Sequence, residues 1–80
     1  MTTTNAYVNN VYMNRLEIKQ MLERKGITQR SIADLFGTYP STVNYVISGM
    51  YKKSELSRKI REYVAVHIGL KVEEIWPNSN

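Results

Sequence analysis

The stretch from Gln29 to Ser48 constrains this chain more than any other. Gln29 to Phe36 carries Ile32, Leu35 and Phe36 and follows Thr28, a good helix N-cap. Gly37 ends it, and Tyr39-Pro40 opens the next element. Proline suits the first helical position and drives Tyr39 into the extended region that an N-cap needs. Tyrosine caps poorly, so Thr38 or Ser41 is the candidate capping side chain. Val43, Val46, Ile47 and Met50 then recur at the spacing of one helix face, and Ser48-Gly49 stops the element. Two helices crossing steeply over so short a connection need a small residue at the contact and a residue tolerant of positive φ in the turn. Ala33 and Gly37 fall at those two places, with Ile32, Phe36, Val43 and Val46 as the buried contacts. The pattern is that of a helix-turn-helix.

The flanking sequence supplies three more helical signals and no strand signal. Asn14 with Glu17 resembles a capping box, and Leu16, Ile18, Met21 and Leu22 follow at partial helical spacing. Gly26 closes that helix, expected over about residues 15–25. Ser54 caps a longer helix near 55–68, with Leu56, Ile60, Tyr63, Val64 and Ile68 inward and Gly69 at its end. Val72 to Trp76 forms one last turn before Pro77. The expected fold is an all-α, compact five-helix domain over residues 14–77, between a flexible tail at 1–13 and a short one at 78–80. With 80 residues the core is thin, so every large apolar side chain counts.

Composition narrows the function. Hydrophobic residues at 42% and charged residues at 22% are globular values. The lack of cysteine excludes a disulfide framework and fits a reducing interior. No apolar run is long enough to span a membrane, and the start of the chain lacks signal-peptide character, so a cytoplasmic location is expected. The formal net charge of +4 favours a polyanionic partner. Its densest part is Lys52, Lys53, Arg58, Lys59 and Arg61 against the single acid Glu55, directly after the second helix of the pair. Residues 1–13 carry no charged side chain, which disfavours a basic minor-groove arm.

The residues KGITQRSIADLFGTYPSTVNYVISG resemble the helix-turn-helix core of the phage lambda repressor/Cro family of DNA-binding domains. The ending GLKVEEIWP is similar to the close of that five-helix fold in the Ner-type regulators of transposable phages. Two positions depart from the family pattern. Thr38 stands where an aliphatic residue usually follows the turn glycine, and Pro40 where many members place a polar, base-reading side chain.

The resemblance implies that the helix starting near Pro40 enters the major groove by its N-terminal end. Base edges there distinguish all four base pairs. With Val43, Val46 and Ile47 inward, the outward positions are Ser41, Thr42, Asn44, Tyr45 and Ser48, and Ser41, Asn44 and Tyr45 share one stripe. Asparagine can pair with adenine, serine with either sense of hydrogen bond, and tyrosine with a thymine methyl or a phosphate. Similar domains use a Gln at the position of Gln29, and a loop like that of Lys52 and Lys53, to hold phosphates. The DNA-binding set so implied is Gln29, Arg30, Tyr39, Pro40, Ser41, Thr42, Asn44, Tyr45, Lys52 and Lys53.

Nothing in the sequence points to catalysis, and no cofactor is expected. One histidine, His67, and no cysteine exclude a usual zinc site. The four glycines are separated, so no phosphate-binding glycine loop exists. Glu73-Glu74 reads as a first-turn acidic pair and Trp76 as a core lid, with a dimer contact as the alternative for Trp76. The expected function is sequence-specific binding of double-stranded DNA by a phage or prophage transcriptional regulator. There is no room for a separate sensing domain, so control would act by operator occupancy. An architectural or accessory factor for recombination or transposition is the alternative reading, and a protein-interaction module on the same fold is a third. One such domain reads a short half-site, so a homodimer on DNA is the companion expectation, its candidate contacts being the N-terminal aromatics and the C-terminal segment.

Overall fold

Four of the five helices start at residues the sequence marks as caps or as helix-opening proline, and the fold follows from where those starts and stops fall. The structure, a computed structural model, describes residues 13–77. The tails expected at 1–13 (apart from Met13) and at 78–80 lie outside the described residues. Within them are five α-helices and no strand: α1 (Arg15–Glu23), α2 (Gln29–Phe36), α3 (Pro40–Ile47), α4 (Glu55–Ile68) and α5 (Val72–Ile75). They form a compact all-α domain.

Asn14 Oδ1 accepts from the Glu17 N–H at 2.9 Å, and the Glu17 carboxylate accepts from the Asn14 N–H at 3.0 Å. Thr28 with Ser31 and Ser54 with Ser57 make the same reciprocal arrangement at the starts of α2 and α4. Each cap satisfies donors the helix itself leaves open. α3 differs from these three: it has proline in its first turn and no side-chain cap, so neither Thr38 nor Ser41 plays that part. Gly37 ends α2 at φ +67°, which lets the Thr38 N–H reach back to the Ala33 carbonyl at 2.8 Å and turns the chain into α3.

α4 is the longest helix and packs against all four others. Its Ile60, Val64 and Ala65 meet Ile18 and Leu22 of α1, Ile32 and Ala33 of α2, and Val43, Val46 and Ile47 of α3 in one core. Burying each of the larger aliphatic side chains contributes roughly 1.5–3 kcal/mol. Ile75 and Trp76 close this core from the C-terminal end, where the Trp76 indole N–H donates to the Ile47 carbonyl at 3.2 Å. Trp76 is thus a buried lid of the domain.

Three sequence expectations need correction. α1 stops at Glu23 rather than near residue 25, because the Lys25 and Gly26 N–H groups bond the carbonyls of Leu22 and Glu23 in a tighter turn. Met50 does not share the inward face of α3. The helix ends at Ile47, Gly49 takes φ +81°, and Met50 leaves the core 68% exposed. Leu16, in the first turn of α1, is likewise mostly exposed, while Ile18 and Leu22 carry the buried stripe.

Candidate nucleic-acid interface

Ser41 and Tyr45 are one helical turn apart on α3, and both are exposed, Tyr45 at 56%. Their position follows from Val43, Val46 and Ile47, which bury the opposite face of α3. Thr42 and Pro40 are half-buried, and Tyr39, before the helix, is exposed. The uncapped start of α3 therefore has exposed Tyr39 before it and exposed Ser41 in its first turn. N–H groups at a helix start favour an anion such as phosphate.

Asn44 is less free than its outward register implies. It is half-buried, and its Oδ1 accepts from the Gln29 side-chain amide at 3.3 Å. Gln29 in the first turn of α2 and Asn44 in the middle of α3 are thus one unit across the turn. Asn44 also serves its own helix, its carbonyl accepting from the Ser48 hydroxyl at 2.7 Å. Arg30 projects beside Gln29 and forms a loose pair with Asp34, 3.8 Å apart and largely exposed on both sides. Such a pair holds its partners weakly.

Lys52 and Lys53 are exposed in the loop between α3 and α4. The loop is held from beneath. The buried Ser57 hydroxyl donates to the Lys52 carbonyl at 2.5 Å, and Arg61, only 5% exposed, lies with its guanidinium 4.1 Å above the Tyr51 ring. Arg61 Nε also donates to the Ser57 carbonyl at 3.2 Å. Cation–π contact of this kind is stronger away from water. A cleft of about 460 Å³ between loop and helix is lined by Thr42, Tyr45, Met50, Tyr51 and Lys52, among others. Thr42 and Tyr45 of α3 and Lys52 of the loop therefore border a single concavity.

The dense group of bases divides in three. Arg61 is turned inward. Arg58 bonds Glu55 at 2.6 Å and Glu62 at 2.9 Å. Those hydrogen bonds, to Glu55 first and then Glu62, raise its pKa further above an already high value. Lys52, Lys53 and Lys59 remain exposed. Sequence reasoning missed the support beneath the loop, though a signal was there. Ser57 and Arg61 fall in helical register with Val64, Ala65 and Ile68. His67 is half-buried, with Nδ1 2.8 Å from the Tyr63 carbonyl, so this nitrogen serves its own helix.

Among the described residues no group of three or more His, Cys, Asp or Glu is placed to hold a metal ion, and no helix is long and apolar enough to cross a membrane. No family model, curated protein or solved structure matches the chain.

Proposed function

We propose that this chain is a sequence-specific double-stranded DNA-binding protein with a lambda-repressor-like helix-turn-helix, acting as a transcriptional regulator of the phage or prophage kind. α2 and α3 form the motif, and α3 enters the major groove by its Pro40 end. The observation that carries the reading is the shared cleft of Tyr45, Thr42 and Lys52. A helix face rich in hydrogen-bonding groups beside a basic loop is what base edges flanked by phosphates require.

In this reading Ser41 and Tyr45 read bases and Asn44 does so under the hold of Gln29. Tyr39, Pro40 and Thr42 shape the entry, and Arg30, Lys52 and Lys53 meet phosphates. The protein works by covering its operator, as a homodimer on a two-fold site. It acts as a binding protein without catalysis or cofactor.

Selection of bound sequences from a random duplex library tests this. A recurring palindromic consensus, found by footprinting upstream of a gene, is the expected result. Footprints confined to recombination ends would make the protein an architectural factor instead. No enrichment at any salt concentration would end the reading of sequence-specific binding, and no binding of any duplex at low salt would end the DNA-binding reading.

A further inference from the structure

We propose that Arg61 is a positioning residue for the phosphate grip: from beneath the loop between α3 and α4 it fixes the backbone that carries Lys52 and Lys53, and it does so without meeting DNA itself. The proposal rests on the DNA-binding reading and adds to it the residue that sets the grip. Arginine is rarely buried, because taking its charge out of water is costly. Arg61, in the middle of α4, is nevertheless only 5% exposed. Its guanidinium lies against the Tyr51 ring, 4.1 Å from the centroid, and its Nε donates to the Ser57 carbonyl at 3.2 Å. A flat guanidinium can stack on a ring and donate at its edge, which an ammonium on a flexible stem does not match.

Both contacts lead to Lys52. The ring of the residue before it rests on Arg61. Its own carbonyl accepts from the Ser57 hydroxyl at 2.5 Å, and Ser57 is in turn bonded by Arg61 through its backbone. The backbone of Lys52 is therefore fastened on two sides, and neither anchor uses the Lys52 side chain, which stays exposed. Lys53, next in the loop, is exposed as well. A loop already ordered in this way pays less on binding, so its hold on phosphate tightens with no added contact to DNA. Arg61 thus acts through Tyr51 and Ser57, and the lysines make the contact.

The test is binding of a random-sequence duplex at low salt, below the melting temperature of every protein compared. Arg61→Met should weaken binding by about fivefold, the cost of ordering the loop anew. In a chain already carrying Lys52→Gln and Lys53→Gln, the same replacement should cost almost nothing further, because residues that act through one another couple. Tyr51→Leu keeps every charge and leaves Arg61 in place. It should repeat both results, and it decides the matter if Arg61→Met does not fold. Equal loss with and without the two lysines would mean that the Arg61 site acts on DNA apart from the loop, and overturns the proposal. A lowered melting temperature with no loss of binding would make Arg61 a residue of the fold alone, and overturns it equally. A parent protein that binds no duplex at low salt ends the DNA-binding reading and this proposal together, whereas either of the other two results ends this proposal only.

Discussion

The side-chain amide of Gln29 donates to Asn44 Oδ1 at 3.3 Å and ties the first turn of α2 to the middle of α3. Two residues proposed to meet DNA therefore do not act independently. Asn44 can still accept a second hydrogen bond through Oδ1 and donate through its amide nitrogen, so the link orients the group without using it up.

Removing either partner should cost the bond between them. Gln29→Ala and Asn44→Ala are each expected to destabilise the domain by about 0.5–1.5 kcal/mol. The double variant should fall short of the sum, because residues in direct contact couple. Urea unfolding of the four proteins measures this, and strict additivity would mean that the two amides do not meet in solution.

Ala33 is fully buried in the core beside Ile32, one helical turn before Gly37. Ala33→Leu adds bulk where no space is left and should cost roughly 1–3 kcal/mol through overpacking. A melting temperature equal to that of the parent would place Ala33 away from any tight contact.

Trp76 fills the C-terminal end of the core and bonds the Ile47 carbonyl. Trp76→Ala should destabilise by about 3–5 kcal/mol, a large share of the stability of a domain this size. Circular dichroism would then show a domain unfolded or melting far below the parent. An unchanged melt would make Trp76 an interaction surface rather than a lid.

Ser57 holds the loop that carries Lys52. In Ser57→Ala the Lys52 carbonyl loses its buried partner, at a cost of about 1–3 kcal/mol. Amide exchange in the loop and the first turn of α4 should quicken more than in α1. Uniform acceleration through the domain would mean that Ser57 supports the fold at large and not this loop.

Much of the fold was legible because its punctuation is local. Asn14, Thr28 and Ser54 cap the helices that follow them, and Gly37 and Gly69 close α2 and α4 in the left-handed conformation. Periodicity also marked the buried faces of α3 and α4. It failed at Met50, where the repeat continues beyond the point at which Gly49 redirects the chain. At Arg61 periodicity pointed the right way and charge misled: the charge suggests solvent, although the helix register places the residue beneath Tyr51. At the candidate interface, the exposure of Ser41 and Tyr45 follows from the helix repeat. The hydrogen bond that holds Asn44 comes from a residue fifteen positions away in another helix, which no local pattern contains.

The central claim is that α3 reads bases while the loop after it grips phosphate. Binding of the selected duplex and of a random duplex, titrated across several salt concentrations, separates the two roles. Tyr45→Ala should weaken the selected duplex by about 1–3 kcal/mol and random DNA far less. Lys52→Gln should weaken both alike and flatten the slope of log K against log salt by about one unit, since one fewer counterion is released. If Tyr45→Ala instead lowers affinity uniformly while Lys52→Gln changes the preferred sequence, the face assigned to DNA is the wrong one.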